Sequence, residues 1–365
     1  MSTAARPTFT PEKTHTSPMS QTIEHQVPHI SLTLPKPEAR YGIVDNVLDA
    51  IGWTPMVRLN RLFAEFEGAE VLGKLEYLNP NGSMKDRIGL GMITWAEQQG
   101  LLKPGDTLVE PTSGNTGLGI CMAAAVKGYK VIITMPVKMS EEKRRLIKAF
   151  GAELILCPTE LAFDHPDGYI EVAKRLAQQP NHVMLNQYEN PGNPGAHYTT
   201  TGPEIWQQTA GQLDYFISGM GTGGIISGTS KFLKEKHPAL TVVGVDPAGS
   251  IFSGDTVKPY QVEGIGYDFW PPVLNRPLID EMVRVNDENS FAEGRRLCRE
   301  EGILAGGSCG CVIAGTRQFL THLQATGQLS ATNPKRIVVV IHDTGRNYLT
   351  KMYNDEWMTE MGFIG

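Results

Sequence analysis

The sequence has little that would commit it to a membrane, to nucleic acid or to a disulfide scaffold. No run of about 18 apolar residues occurs, so no transmembrane helix is expected. The first residues lack a basic patch leading into an apolar core and a small-residue cleavage site, so no leader is expected either. Basic residues are not in excess: 33 Lys and Arg face 39 Asp and Glu, a net charge of -6. Nothing there builds the basic stripe that nucleic acid or an anionic membrane surface needs, and a small-molecule partner fits better. Cysteine is sparse. The five residues Cys121, Cys157, Cys298, Cys309 and Cys311 are odd in number and scattered, which excludes a disulfide framework and implies a reducing cytosol. In Cys309-x-Cys311 the spacing is too short for a structural zinc pair, and no second Cys/His pair completes a ligand set, so no metal is expected. The Cys309 thiol would be activated if it lay at a helix N-terminus.

Several catalytic fingerprints are missing as well. Gly221-Thr222-Gly223 lacks the third glycine of a dinucleotide fold, because Ile226 stands three positions after Gly223, and no Gly-Lys-Ser/Thr completes a nucleotide-binding loop. No Ser-His-Asp order or glycosidase-like carboxylate pair stands out. His197 and His342 read as hydrogen-bonded structural residues.

What is present is a 365-residue chain, 41% hydrophobic, long enough for two lobes. Residues 1–40, rich in Pro, Ser, Thr and His (His15, His25, His29), read as a flexible arm. From residue 69 short apolar runs alternate with helical stretches. AEVLGKLEYL, TLVEP, KVIITMP, AELILCP and HVMLNQY read as strands, separated by four amphipathic or apolar helices. The second half repeats this with the strands DYFISGM, TVVGVDP and RIVVVIHD. Its helices are IISGTSKFLKEKH, NSFAEGRRLCREEG, CGCVIAGTRQFLTHLQATG and a closing YLTKMYNDEWMTEMG. Continuous apolar strands between helices call for parallel sheets covered on both faces, hence two doubly wound lobes of α/β class with a site between them at the strands' C-terminal ends.

Three strand-to-helix or helix-to-helix turns could carry chemistry. Glu110-Pro-Thr-Ser-Gly-Asn-Thr-Gly117 opens a helix whose unpaired N–H groups, with hydroxyls from Thr112, Ser113 and Thr116, could bind a carboxylate or phosphate; an ordinary N-cap is the alternative. Gly221-Thr222-Gly223-Gly224 suits a phosphate cradle. Gly306-Gly307-Ser308-Cys309-Gly310 places Ser308 either as a cap or as a hydroxyl for a ring nitrogen. Lys85, in Asn81-Gly-Ser-Met-Lys-Asp-Arg87, is either part of a solvated helix start or a buried amine whose lowered pKa lets it react with a carbonyl. A reactive amine together with phosphate loops describes an enzyme built around pyridoxal phosphate.

Together, Trp53-Thr-Pro-Met-Val-Arg58, the Gly82–Arg87 turn, EPTSGNTG, NQYENPGNPGAHY, VGVDPAGSI, VEGIGYDF, GGSCG and RNYLTKMYNDEWM resemble the fold-type II pyridoxal-phosphate enzymes of the cysteine synthase/cystathionine β-synthase family, from about residue 43 onward. The resemblance implies that Lys85 is joined to pyridoxal 5'-phosphate and acts as the catalytic base. It implies that Asn115 meets the ring hydroxyl, Ser308 faces the ring nitrogen, and Gly221, Thr222, Gly223 and Gly224 hold the phosphate. Thr112, Ser113, Gly114, Thr116 and Gln187 would bind an amino-acid carboxylate, with Gly264 and Tyr267 at the second-substrate entrance. It further implies a large cofactor-binding domain of residues 41–78 and 190–365, a smaller mobile domain of 79–189, and a cytoplasmic homodimer. The activity implied is condensation of serine, or an activated serine, with homocysteine to cystathionine in transsulfuration; cysteine synthesis from O-acetylserine and sulfide, or β-replacement with another nucleophile, is the alternative. A non-catalytic scaffold is disfavoured because Lys85, Asn115 and Ser308 are all present. Departures stand at Gly195, Cys309 and Ile225; Ile225 replaces the family's usual Thr and removes a phosphate hydroxyl. The first 40 residues hold no Cys, so the haem site of animal relatives is not expected, and the chain ends where some relatives' regulatory module begins.

Overall fold

The structure is a computed structural model that describes residues 42–112, 114–137, 139, 141–158, 161 and 165–364. The N-terminal arm read from residues 1–40 lies outside them.

Two sheets organise the chain. The first strings together β1 (Met56–Arg58), β2 (Ala69–Leu75), β10 (Lys335–Ile341), β7 (Tyr215–Gly219), β8 (Thr241–Pro247) and β9 (Glu281–Val285) in that spatial order. All neighbours are parallel except β1 with β2. The second is wholly parallel, ordered β5 (Glu153–Cys157), β4 (Lys130–Pro136), β3 (Thr107–Pro111), β6 (His182–Met184).

Period-two alternation inside apolar strands explains why both faces are covered. In β10, Ile337, Val339 and Ile341 enter one core with Val312, Phe319 and Leu320 of α9 (Gly307–Ala325). Val338 and Val340 enter the opposite core with Ile226 and Leu233 of α7 (Gly224–Lys236) and Ile205 of α6 (Gly202–Gln208). The four-stranded sheet does the same. Leu108 and Ile133 face α2 (Asn115–Lys127), whereas Val109 and Ile132 face Ala173 of α4 (Tyr169–Leu176). The two doubly wound halves expected from the sequence are therefore present.

Four local expectations are corrected. HVMLNQY is a strand only over His182–Met184, because the backbone N–H groups of Asn186 and Gln187 turn to donate to the buried Glu110 carboxylate at 2.8 and 3.0 Å. AEVLGKLEYL stops at Leu75 and continues as a 3-10 turn over Glu76–Leu78. The closing helix shrinks to α10 (Asp355–Glu360), capped by Asn354, since Tyr348 and Met352 turn into the core before it. GGSCG is not a free turn: Gly306 is the N-cap and Ser308 already lies in the first turn of α9. Strands β1 and β9, at the sheet edges, went unread, as did the helical run α5 (Gly192–Ala196), π-helix His197–Thr201 and α6. That run is rich in Gly, Pro and Thr and owes its helicity to packing between α7 and α1 (Lys85–Gln98).

One polar group sits among these apolar layers. Arg87, on α1, places its guanidinium between Glu76 and Glu204, with contacts of 2.6–2.8 Å, while Lys74 Nζ pairs with Glu204 at 2.7 Å; all four side chains are buried. Thr54 Oγ1 donates to Glu76 at 2.6 Å. Burial pushes the Glu76 carboxyl up, but the charge and hydrogen bonds of Arg87, with help from Lys74 and Thr54, outweigh it and hold the group far below 4.5. The folded value lies below the unfolded one, so this stabilisation is fully present above the ordinary glutamate range and is lost as acid titrates the folded group. Arg87→Ala, which strands two buried carboxylates, is expected to lower the unfolding free energy by about 3–5 kcal/mol. Urea unfolding at neutral pH measures it; a loss below about 1 kcal/mol, the range of surface pairs, would refute the assignment.

Candidate active site

Lys85 is the first residue of α1, and the chain before it is clamped to the end of β10. Thr344 donates its backbone N–H to the Gly82 carbonyl and Met84 donates to the His342 carbonyl, each at 2.9 Å. Asp86 is buried and accepts from the backbone N–H of Asn81 at 2.7 Å and from its side-chain amide at 3.1 Å. With Arg87 buried too, the solvated helix start is excluded as a reading of this segment. The Lys85 amine makes no hydrogen bond or ion pair with the described residues. Burial lowers its pKa to about 8, against a smaller opposing pull from Asp343.

On the neighbouring strand β7, the loop Gly221–Gly224 leads into α7. Gly223 adopts φ +90°, and a Cβ on Gly224 would lie 1.8 Å from Asn193 Oδ1, so bare backbone is required there. Thr222 is buried and its hydroxyl accepts from Asn193 Nδ2 at 3.0 Å. The N–H groups at this helix start have no side-chain cap, the condition under which a helix N-terminus can take an anion. Ile225 does not line an open loop. It is buried with Met84, Ile226 and Leu274, so the residue that departs from the family's Thr contributes to the core instead.

Asp343, just past β10, gathers the remaining pieces. Its Oδ2 accepts from Asn115 Nδ2 at 2.8 Å and from the Tyr348 hydroxyl at 2.7 Å, and residue 343 bridges Ser83. Its backbone carbonyl accepts from Gly306, the N-cap of α9, one turn from Ser308. Ser308 is buried at 5% exposure, and its hydroxyl has no partner among the described residues. Sequence reasoning missed Asp343. The available signal was its position after a central strand, at the carboxyl end where doubly wound folds bind ligands. Cys309 does lie at a helix N-terminus, yet its thiol is not activated: burial pushes it up to about 12, and the neighbouring Asp343 adds to the rise. His197 Nδ1 bonds Thr201 Oγ1 at 2.8 Å as expected of a structural residue. His342 is only half satisfied, with Nε2 at 3.3 Å from Ser218 and a buried Nδ1 that has no partner among the described residues.

The loop after β3 carries Thr112, Gly114 and Thr116; Ser113 lies outside the described residues. Thr112 Oγ1 accepts from Gly114 N–H at 3.2 Å, and Thr116 Oγ1 donates to Gln187 Oε1 at 2.8 Å. Asn193 Nδ2 also donates to the Gln187 carbonyl at 2.7 Å, so one amide ties this loop's partner to Thr222. Gly264 and Tyr267 line a cavity of about 660 Å³ walled by both halves of the molecule, including Met139, Tyr169, Glu263 and Lys351. Lys85 does not line that cavity. At its edge Glu263 pairs with Lys351 and with Lys143 of α3 (Glu141–Ala149), the latter at 2.5 Å. The structure thus places the Lys85 segment and the 221–224 loop at the ends of the adjoining strands β10 and β7, ties Asn115 and the start of α9 with Ser308 to them through Asp343, and sets Gly264 and Tyr267 in a cleft that begins beside Gly221.

The family described as "Pyridoxal-phosphate dependent enzyme" matches residues 47–343. Cystathionine beta-synthase of Dictyostelium discoideum is 49% identical over 328 residues, 88% of this chain and 64% of that protein. Cysteine synthase of Staphylococcus aureus is 43% identical over 314 residues, 85% of this chain and 97% of that enzyme. The crystal structure of a hydrogen sulfide-producing enzyme from Fusobacterium nucleatum, 38% identical, superposes with a TM-score of 0.78 over 84% of this chain and 100% of its own. The chain spans 64% of the length of the first curated relatives it matches.

The amine of Lys85 loses its proton above pH 8 rather than near 10.4. In the ligand-free full-length chain, reductive alkylation of Lys85 followed by peptide mass analysis is expected to rise through a midpoint near pH 8. A midpoint matching that of the surface lysines would overturn the buried-amine assignment.

Proposed function

The chain belongs to the pyridoxal-phosphate dependent enzymes, and we propose that within that family it catalyses β-replacement, condensing L-serine or an activated serine with L-homocysteine to give cystathionine. The observation that carries this reading is the placing, at the ends of the adjoining strands β10 and β7, of the segment bearing a lysine amine with no hydrogen bond to the described residues and of a glycine loop that admits no side chain. The residues present fit the cofactor. The backbone at Gly224 has no room for a Cβ, the Lys85 amine has a lowered pKa, and the hydroxyl of Ser308, a residue 5% exposed, makes no hydrogen bond to the described residues. In this reading Lys85 would hold the aldehyde end, Gly221, Thr222, Gly223 and Gly224 would hold the phosphate, and Ser308 and Asn115 would serve the ring nitrogen and the ring oxygen. Pyridoxal phosphate, when bound, supplies the electron sink that spreads charge left at the donor's α-carbon.

The chain's own groups do the rest. Thr112, Ser113, Gly114, Thr116 and Gln187 grip the donor's carboxylate, and the buried Glu110 keeps Gln187 in place through its backbone N–H. Lys85 Nζ, titrating near 8, takes the α-proton and returns one when the thiol has added. A neutral hydroxyl at the ring nitrogen does not enforce its protonation, which favours loss of the β-substituent over transamination. Residues 79–189 act as the smaller mobile domain, and the ion pair from Lys143 to Glu263 fastens its α3 against the cleft edge, excluding water.

Cysteine synthesis from O-acetylserine and sulfide is the second reading, supported by the near-complete coverage of the Staphylococcus aureus cysteine synthase. The cleft at Gly264 and Tyr267 favours the first, because sulfide needs none of its roughly 660 Å³. A cytoplasmic homodimer working in transsulfuration completes the proposal.

A matrix of serine, O-acetylserine and phosphoserine against homocysteine and sulfide, with mass detection, is expected to give cystathionine as the dominant product. Cysteine alone, with homocysteine unused, would replace the first reading by the second. Lys85→Ala is expected to purify without the visible absorption band of the wild type, and an unchanged band would remove Lys85 from its assigned role.

A further inference from the structure

Among the buried acids with no task assigned above, one stands at the centre of the candidate site. Asp343 is 3% exposed and touches three of the segments that the proposed reading requires. It bridges Ser83 two residues before Lys85, it accepts from Asn115, and its backbone accepts from the N-cap of α9 beside Ser308. A Cβ on Gly306 would stand 2.3 Å from Asp343 Oδ1, and among the described residues that oxygen accepts only a long contact of 3.8 Å from the Cys309 thiol. The contact open to variation is therefore the Oδ2 atom, shared by Asn115 Nδ2 at 2.8 Å and the Tyr348 hydroxyl at 2.7 Å.

An ionised carboxylate only accepts hydrogen bonds, so the amide edge of Asn115 that faces it must be the NH2 edge. One Nδ2 hydrogen is taken up by Asp343, and the other is left for a second acceptor. Without Asp343 the amide could rotate and present its carbonyl oxygen instead. We infer that Asp343 is a positioning residue: it locks the Asn115 amide so that an N–H faces the ring oxygen of the cofactor. This rests on the cofactor reading proposed above but not on the identity of donor or acceptor. Burial is the largest influence and leaves the Asp343 carboxyl above its ordinary range, while the hydrogen bonds from Tyr348 and Asn115 and the charges of Lys143 and Lys85 oppose that rise. Four groups thus favour the charged, accept-only form that the orientation depends on.

The consequence can be read without turnover. A donor at the ring oxygen keeps that oxygen anionic and the proton on the nitrogen bonded to it through the conjugated system, a form that absorbs in the visible. When the donor is lost the proton moves to the oxygen and absorption moves to the near ultraviolet. In the full-length holoenzyme, Asp343→Asn is expected to raise the ratio of near-ultraviolet to visible absorbance by about two- to tenfold, the span that loss of one hydrogen bond makes in an equilibrium. Asn115→Ala should raise it similarly, and combining the two should add nothing further, because Asp343 acts through Asn115. Tyr348→Phe leaves the carboxylate and its bond to Asn115 in place, so its ratio should stay at or below that of the wild type.

An unchanged ratio in folded Asp343→Asn overturns the inference, as does a further rise in the double variant. Should Asp343→Asn fail to fold, the other two variants decide: no rise in Asn115→Ala, or a rise in Tyr348→Phe, overturns it. A wild type that takes up no pyridoxal phosphate removes the cofactor reading itself, whereas a wild type with the band but an unexpected product changes only the substrate assignment.

Discussion

Everything around Lys85 depends on a buried quartet of charges two residues further along the same helix. Arg87, Glu76, Glu204 and Lys74 balance at two charges of each sign, and none reaches solvent. A buried network of this kind contributes little net stability compared with a well-packed apolar core. Its effect is geometric. Glu76 follows β2, Glu204 lies on α6 and Arg87 on α1, so a planar guanidinium with two carboxylates fixes the start of α1 against both. Any rotation of α1 that moved Lys85 would also break charge-assisted bonds at Arg87, where no water is available to replace them.

That anchoring makes the rest of the site possible because the strands deliver everything else to the same level. The parallel arrangement places the ends of β7 and β10 side by side, with the glycine loop on one and the Lys85 clamp and Asp343 on the other. The four-stranded sheet contributes the loop after β3, and another buried carboxyl group, Glu110, restrains Gln187 through its backbone N–H. Asn193 then joins the two halves through a single amide that reaches Gln187 and Thr222 together. Several of the buried polar side chains, Glu110 and Asn193 among them, are thus hydrogen-bonded to backbone of the loops they restrain.

The sequence made legible whatever is carried by local pattern. Apolar alternation gave the central strands and the two-sheet architecture, and glycine after a strand pointed to the loops at 112–117 and 221–224. What escaped was decided by distant contacts. β1 and β9 are edge strands whose partly exposed residues carry weak alternation. The run 192–208 has the composition of a loop and becomes helical only because Gly91 and Gly228 let α1 and α7 approach within contact of it. Asp343 looked like the polar end of a strand, and Arg87 like a surface charge, because burial and partners more than a hundred residues away leave no trace in local composition. Cys309 shows the opposite error. Its helix-terminal position was anticipated, but the dipole's pull is outweighed by complete burial beside a carboxylate.

The same competition between burial and charge separates the roles of the site's ionisable groups. Burial alone would drive Lys85 toward neutrality and Asp343 toward protonation, removing charge from both. Their proximity resists this, since each favours the charged form of the other. Hydrogen bonds break the symmetry: Asp343 receives two from Asn115 and Tyr348, whereas the Lys85 amine has none among the described residues. The acid is therefore held by its surroundings as a fixed acceptor, and the amine is the member of the pair left free to exchange its proton near neutral pH. A site that needs one immobile charge and one mobile proton obtains both from an unequal distribution of hydrogen-bond donors around a buried acid and a partly buried amine.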